Sequence, residues 1–199
     1  LLGQYIGFHN YRGRVSAQFD GYHDRTTDGR RPNGSYVPRF RNVFRQETNF
    51  LRGYAASVFG NKMEPSNHGL LGEALKNQLL RPSTEGWSIG AQMMGEVLPK
   101  ASNRVQLDSS RTDDWGVPLL RMSVDFDDND RKMVQDFYEQ FSEMFHKAGF
   151  TNIQTADTGR HPGSENHEMG GCRMGHDPKT SLLNRWNQLH HCSNVFVTD

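Results

Sequence analysis

The sequence predicts an α+β fold, in which several strands are accompanied by helices. Apolar and polar residues alternate between 118 and 126, as in a strand with one covered face: Leu120, Met122, Val124 and Phe126 are the apolar set. Residues 129–148 instead carry apolar side chains at spacings of three and four, which is typical of an amphipathic helix. Segment 50–60 is rich in aromatic and small residues, and both this segment and 12–20 are expected to form strands.

The first half of the chain is expected to contain three strands and a short helix. The strands are predicted at 12–20, 36–40 and 50–60, with a long polar turn region between the first two. The helix is predicted over 69–80. Asn67 or Ser66 would cap this helix, Pro82 would end it, and its apolar stripe would consist of Leu71, Leu75 and Leu79.

The second half is expected to place the strands 87–99, 104–108, 118–126 and 150–155 around the helix 129–148. Gly90 and Gly95 interrupt the first of these strands, which indicates a bulge or a close ligand. Asp127 and Asp128 supply a cap and an acidic first turn for the helix, and Gly149 ends it. The helix stripe is expected to be core, and its members are Met133, Phe137, Phe141, Met144, Phe145 and Ala148.

The composition argues against some classes of function but does not identify the function. The 199 residues carry a formal net charge of zero, so no electrostatic argument favours nucleic acid or a membrane surface as partner. No run approaches the roughly 18 apolar residues of a membrane span. The apolar content of 34% is low, and we expect part of the apolar surface to lie against polypeptide outside this chain.

The most informative segment is 161–175, which reads HPGSENHEMGGCRMG. Adjacent glycines at 170 and 171 allow backbone conformations that other residues avoid, or a close approach to a ligand. His167 stands just before them and is suited to proton exchange near neutral pH. The alternative is a glycine-rich surface loop with an incidental histidine.

This segment resembles a motif near the carboxyl end of the glucose–methanol–choline (GMC) oxidoreductases, which are FAD-dependent alcohol and sugar oxidases and dehydrogenases. In that family a histidine precedes a small residue by five positions, and a basic residue, Met and Gly follow; the matching residues are His167, Cys172, Arg173, Met174 and Gly175. Gly171 departs from the family, which often has Thr there. The passages LLGQYIGFHN, residues 95–126 and HDPKTSLLNRWNQLHHCSNVFVTD resemble other parts of the family.

The resemblance implies a domain organisation. Residues 1–9 would link from a missing FAD-binding half, 10–155 would form a substrate domain, and 156–199 would be an incomplete piece of the FAD-binding domain. The substrate domain of the family is an antiparallel sheet backed by helices. No Gly-x-Gly-x-x-Gly fingerprint occurs, so most of the FAD site is expected outside this chain. In the family a second catalytic residue follows the strand that ends here at Asp199, so it too is expected outside this chain.

The resemblance also implies a reaction and its residues. The enzyme would oxidise the CH–OH group of a small-molecule alcohol, a sugar or polyol, by hydride transfer to FAD with His167 as base. Asp199 matches a family carboxylate near the ribityl and diphosphate region of FAD. The chain alone is expected to be inactive. The alternatives left open are a non-catalytic sugar-binding module and a small metal-binding domain.

The remaining candidates carry weaker expectations. A zinc site would draw on both cysteines and several histidines, but no Cys-x-x-Cys pair occurs. Two free thiols at Cys172 and Cys192 are expected, and a disulfide between them is the alternative. His9 lies where the family often has histidine and receives no chemical role; His161, His176, His190 and His191 are read as loop or turn residues. Four arginines would either shape a sugar pocket or lie in a solvated turn: Arg30, Arg31, Arg39 and Arg41.

Overall fold

The computed structural model describes residues 1–25, 34–63, 69–81, 86–164 and 167–198. Its elements, in chain order, are β1 Gln4–Gly7, β2 His9–Asn10, β3 Gly13–Phe19, β4 Ser35–Val37, β5 Tyr54–Lys62, α1 Gly72–Leu79, β6 Trp87–Glu96, β7 Arg104–Thr112, β8 Pro118–Ser123, α2 Asp128–Lys147, β9 Thr151–Asp157, β10 Met169–Gly171, β11 Gln188–Leu189 and β12 Cys192–Phe196. The mixture of antiparallel strands with helices confirms the predicted α+β class.

The chain forms two compact units. The first unit comprises Leu1–Asn10, Glu96–Arg131 and Arg160–Asp199, and the second comprises Tyr11–Gly95 and Lys132–Gly159. Both units are therefore assembled from segments that are distant in sequence. The assignment of 10–155 to a substrate domain and of 156–199 to an FAD-binding domain stays a prediction.

The sheet of the second unit follows the strand order β4-β5-β6-β3-β9, and each pairing is antiparallel. β5 pairs with β6 along its length, from Tyr54 opposite Gly95 to Lys62 opposite Trp87. The strands predicted from residues 12–20, 50–60 and 87–99 are therefore present. β4 ends at Val37, because Pro38 has no N–H group with which to continue the pairing.

The core of the second unit lies between this sheet and α2. The helix buries Met133, Phe137, Phe141 and Phe145, each at most 1% exposed. These side chains pack against inward-facing residues of three strands: Val15, Ala17, Tyr54, Ala56, Ala91 and Met93. Burial of this one helix face is the main apolar stabilisation of the unit. The prediction is wrong at Met144 and Ala148, which lie at the carboxyl end of the helix and are exposed.

A polar network also ties α2 to the second unit. The hydroxyl of Tyr54 donates to Oδ2 of Asp136 at 2.6 Å, and the guanidinium of Arg41 pairs with the same carboxylate. Burial, and then the hydrogen bond to Asp136, raise the pKa of Tyr54. Arg39 donates to the carbonyls of residues 41 and 42, so both arginines are engaged within the fold.

The amino end of α2 is capped as its sequence predicts. Oδ1 of Asp127 accepts from the backbone N–H groups of Asn129 and Asp130, at 2.9 and 3.4 Å. In return, Oδ2 of Asp130 accepts from the N–H of Asp127 at 2.9 Å, which makes a reciprocal capping arrangement. At the other end, Gly149 takes a φ of +83°, a conformation that favours glycine.

The short helix α1 differs from its prediction. The proposed caps Asn67 and Ser66, and also Pro82, lie outside the described residues. The helix begins at Gly72, after Leu71, which makes no side-chain capping bond. It buries none of its residues, and Leu71 and Leu79 are 83% and 62% exposed, so the described part of the chain does not cover the predicted stripe.

The first unit contains the sheet β10-β1-β7-β8 and the pair β11-β12. Its core is small and consists of Ile6, Phe8, Val97 and Phe126. The alternating pattern of 118–126 predicted a covered face, but only its end is buried, since Leu120 and Met122 are 73% and 47% exposed. None of the helices in the described residues combines the length and apolar character that crossing a bilayer demands.

Glycine 90 is explained by packing within the second unit. It lies opposite Phe59 in the ladder between β5 and β6. A Cβ atom there would lie 2.8 Å from the Phe59 ring. Of the two predicted reasons for this glycine, a bulge or a close ligand, the structure requires neither, because a cross-strand aromatic ring fills the space.

Candidate active site

The glycine-rich motif forms strand β10, which pairs antiparallel with β1. Gln4 lies opposite Gly171 and Gly7 lies opposite Met169. Between these pairs β1 therefore has one more residue than β10, which is the pattern of a β-bulge. Tyr5 lies within the bulge and has a φ of +60°, in the left-handed region.

Gly170 has the geometry that the sequence predicts for this motif. Its φ is +97°, and a Cβ atom there would lie 2.0 Å from the carbonyl oxygen of Tyr5. Both the backbone conformation and the close approach exclude a side chain. Its neighbour Gly171 also has a positive φ, and its carbonyl oxygen accepts from the N–H of Gly3 at 2.8 Å. The paired glycines therefore fit β10 against the bulge.

The register beyond the bulge brings two histidines together. Continuing the ladder two residues past Gly7 and Met169 places His9 opposite His167. Nε2 of His9 lies 3.1 Å from Nδ1 of His167, a hydrogen-bond distance. The ring centroids are 5.2 Å apart and the planes meet at 88°, so one ring meets the other edge-on.

His9 is held by the residues on both sides of it. Phe8 is 2% exposed and packs on Phe126, with ring centroids 5.6 Å apart. Asn10 is 1% exposed, and its Nδ2 donates to the backbone oxygen of Asp130 at 3.4 Å. These buried neighbours fix the backbone from which the His9 ring projects.

His167 is exposed and has a φ of +67°. Non-glycine residues in this left-handed region are uncommon, and such conformations are concentrated at functional sites. Its Nδ1 faces His9, whereas its Nε2 has no hydrogen-bond partner among the described residues. The ring is thus fixed at one nitrogen and open at the other.

Arg173 and Gly175 of the motif make contacts within the fold. The guanidinium of Arg173 lies 4.2 Å from the ring centroid of Tyr5, a cation–π contact on the bulge. Nε of Arg173 donates to the carbonyl of Thr180 at 2.9 Å. At Gly175 a Cβ atom would lie 2.8 Å from Cβ of Ser181, so this glycine also permits a close approach.

The other candidate residues do not join the His9–His167 pair in the described structure. Asp199, Arg30 and Arg31 lie outside the described residues. His161 and His176 are exposed, while Nε2 of His190 lies 3.1 Å from both Oγ of Ser181 and the carbonyl oxygen of Gly175. Cys172 and Cys192 are free thiols. Within the described ranges, no three His, Cys, Asp or Glu side chains lie close enough together to hold a metal.

Two residues of the site have no predicted role in the sequence. His9 is separated from His167 by 158 positions, and the pairing depends on the bulge that shifts the register. Tyr5 shapes that bulge, and no local pattern marks it. The only available signal for His9 is its place in the passage IGFHN, which resembles a histidine-containing link in the GMC family.

Comparison with known proteins supplies an independent observation. A family model described as GMC oxidoreductase matches residues 99–199. The 2-methyl-1,2-propanediol dehydrogenase of Mycolicibacterium austroafricanum is 35% identical over 108 residues, which are 54% of this chain and 19% of that protein. The fructose dehydrogenase large subunit of Gluconobacter japonicus is 29% identical over 164 residues, or 75% of this chain and 29% of that protein.

A further relative is the gluconate 2-dehydrogenase flavoprotein of Pantoea cypripedii. It is 35% identical over 104 residues, which are 48% of this chain and 17% of the relative. The chain therefore spans less than a third of the length of each of these three relatives.

Proposed function

The chain belongs to the GMC oxidoreductase family, and on that premise we propose that it is part of a flavin-dependent enzyme that oxidises the CH–OH group of an alcohol, with His167 as the base. The observation that carries the proposal is the exposed His167 ring, whose Nδ1 lies at hydrogen-bond distance from His9 and whose Nε2 has no hydrogen-bond partner among the described residues. A sugar or polyol is the proposed substrate, because the relatives bear the names of dehydrogenases of a diol, of fructose and of gluconate.

The chemistry follows from what alcohol oxidation requires. The hydroxyl oxygen loses a proton and the carbon loses a hydride, so a base must reach the oxygen while a hydride acceptor faces the carbon. FAD, when bound, supplies that acceptor. This chain contributes the base. Nε2 of His167 takes the hydroxyl proton, and the resulting imidazolium donates a hydrogen bond to the oxygen.

The residues present fit one side of such a site. A neutral imidazole with one nitrogen open can remove a proton without a metal ion, which suits a reaction in which the cofactor accepts the hydride. Asp199, by its resemblance to the family carboxylate, would hydrogen bond to the ribityl hydroxyls of FAD. The adenosine half would be held by residues outside this chain, since no Gly-x-Gly-x-x-Gly sequence occurs here.

The same reasoning implies that this chain is not sufficient for turnover. Its matched region is 17–29% of the length of the relatives, and the cradle for the diphosphate is not among its motifs. We therefore expect that the 199-residue chain, purified alone, neither retains FAD nor oxidises alcohols.

The decisive experiment uses the protein encoded by the complete reading frame. Its visible spectrum is recorded, and flavin reduction by sugars and polyols is followed without oxygen. We expect flavin absorbance that bleaches with one of these substrates, and a His167→Ala variant that keeps its flavin but is reduced about 10² to 10⁴-fold more slowly.

His161→Ala is the matched control, because His161 is another exposed histidine of the same unit. It should be reduced at the wild-type rate. A complete protein that is colourless and cannot be reconstituted with FAD would overturn the flavin proposal, and binding of a sugar to that colourless protein would instead indicate a non-catalytic module. Equal rates for wild type and His167→Ala would reject His167 as the base.

A further inference from the structure

We propose that His9 is a positioning residue for His167: its Nε2 accepts the Nδ1–H of His167 and so keeps the other nitrogen of that ring free to take the substrate proton. The inference rests on the proposed function, and it adds a role for a residue that does not contact the alcohol. It is carried by the 3.1 Å separation of the two nitrogens and by the register that produces it.

A neutral imidazole has one proton on its two nitrogens, so the hydrogen bond at Nδ1 decides the state of Nε2. If His9 donated to Nδ1 of His167, the proton of neutral His167 would be on Nε2, and that atom could not act as a base. If His167 donates, Nε2 keeps its lone pair. The base role of His167 therefore requires His9 to be neutral and to accept.

The contact geometry suits this direction. Each of the two residues lies two positions beyond the last pair of the β1–β10 ladder, Gly7 opposite Met169, and their rings meet at 88°. The lone pair of one ring nitrogen lies in the ring plane, so an edge-on meeting of two rings can align a donor with it. The buried neighbours Phe8 and Asn10 limit the movement of His9, so the acceptor is held in place before substrate arrives.

The hydrogen bond from His167 to His9 becomes stronger as the substrate proton is transferred to His167. The hydroxyl proton of the alcohol moves to Nε2, and His167 becomes a cation that still donates its Nδ1–H to His9. Hydrogen bonds from a charged donor are stronger than those between neutral groups. His9 thus stabilises the charged ring that the transfer forms, and it takes up no proton itself.

The test uses two variants of His9 in the complete protein. His9→Phe keeps a ring of similar shape but removes the acceptor. His9→Gln restores an acceptor oxygen at a similar distance from the backbone. Nitrogen NMR of ¹⁵N-histidine-labelled protein reports the tautomer of His167, with and without flavin, and His167→Ala identifies its signals.

We expect the Nδ1–H tautomer of His167 in wild type and in His9→Gln, and a shift towards the Nε2–H tautomer in His9→Phe. Flavin content should be equal in the three proteins. Flavin reduction should slow roughly 10- to 100-fold in His9→Phe, less than on loss of His167, and recover in His9→Gln.

Two results would overturn the proposal: an Nε2–H tautomer in the wild-type protein, or a His9→Phe variant that keeps both the Nδ1–H tautomer and the wild-type rate. Failure of the proposed function is a separate result, because a complete protein that oxidises no alcohol still yields the tautomer from its spectrum. If His9→Phe loses its flavin, the tautomer of His167 in His9→Gln decides. The Nδ1–H tautomer supports the acceptor role of residue 9, and the Nε2–H tautomer rejects it.

Discussion

The carbonyl oxygen of Tyr5 lies 2.0 Å from the position that a Cβ atom on Gly170 would occupy. The strand that follows His167 therefore fits against the bulge of β1 only because residue 170 has no side chain. The bulge in turn sets the register that places His9 opposite His167. A backbone contact between residues without a chemical role thus determines the geometry of the candidate base.

The first prediction concerns this contact. Gly170→Ala should lower the free energy of unfolding by roughly 2 to 5 kcal/mol, because the strained φ and the clash with backbone both have to be relieved. The control is Gly116→Ala, at a φ of +81°, where no atom of the described residues lies within 4 Å of the added Cβ. This substitution should lower the free energy of unfolding by only about 1 kcal/mol.

Urea unfolding measures both losses, and NMR contacts between the rings of His9 and His167 report whether the register survives. If Gly170→Ala were no more destabilising than Gly116→Ala, the close approach to Tyr5 would not be a real constraint.

The second prediction concerns the network around Asp136. Tyr54→Phe removes a hydroxyl that donates to this carboxylate at 2.6 Å, so we expect a loss of about 1.5 to 3 kcal/mol. The control is Tyr138→Phe, since the Tyr138 hydroxyl is buried without a hydrogen-bond partner in the described part of the chain. Its removal should be neutral or slightly stabilising. Comparable losses for the two variants, measured by chemical unfolding, would contradict the assigned network.

The third prediction concerns the pH dependence of stability. Burial, and then the nearby charge of Asp127, raise the pKa of Asp130 to about 6 from the model-compound value of 3.8. Because the folded state binds the proton more tightly, the stabilising contribution is complete below pH 3.8 and is lost as the pH rises through 6. The free energy of unfolding should fall by about 2 to 3 kcal/mol over this interval from this group.

Asp130→Asn should remove that slope, because an amide does not ionise and its oxygen can still accept from the N–H of Asp127. Asp128→Asn, an exposed carboxylate in the same turn, should leave the slope unchanged. Unfolding curves at several pH values between 4 and 7 provide the comparison, and an unaltered slope in Asp130→Asn would show that another group is responsible.

The parts of the fold that the sequence predicts are those with a strong local period. The α2 stripe and the strands within 12–20, 50–60 and 87–99 follow from the spacing of apolar residues, since each element buries one face on its own unit. The caps of α2 follow from short-range hydrogen bonds. The glycine pair of the motif is likewise predictable, because glycine adopts a positive φ without the steric cost that a side chain brings.

The parts that the sequence does not predict are a long-range register and the exposure of apolar residues that have a regular spacing. The pairing of His9 with His167 requires a bulge at Tyr5 that no local pattern marks. Leu107 and Leu120 face each other across β7 and β8 and are 66% and 73% exposed. The apolar residues of β7, β8 and α1 have the spacing of a strand or a helix with one buried face. The spacing alone does not show whether that face is buried.

If Nε2 of His167 takes the substrate proton, a diffusible base should replace the ring once it is removed. In the complete protein, anaerobic flavin reduction by the preferred sugar or polyol is measured for wild type and His167→Ala with increasing concentrations of free imidazole. We expect that reduction of His167→Ala is slower by about 10² or more and is partly restored as imidazole is added, while wild type does not respond. Wild-type reduction rates in His167→Ala without imidazole would contradict the base role of His167.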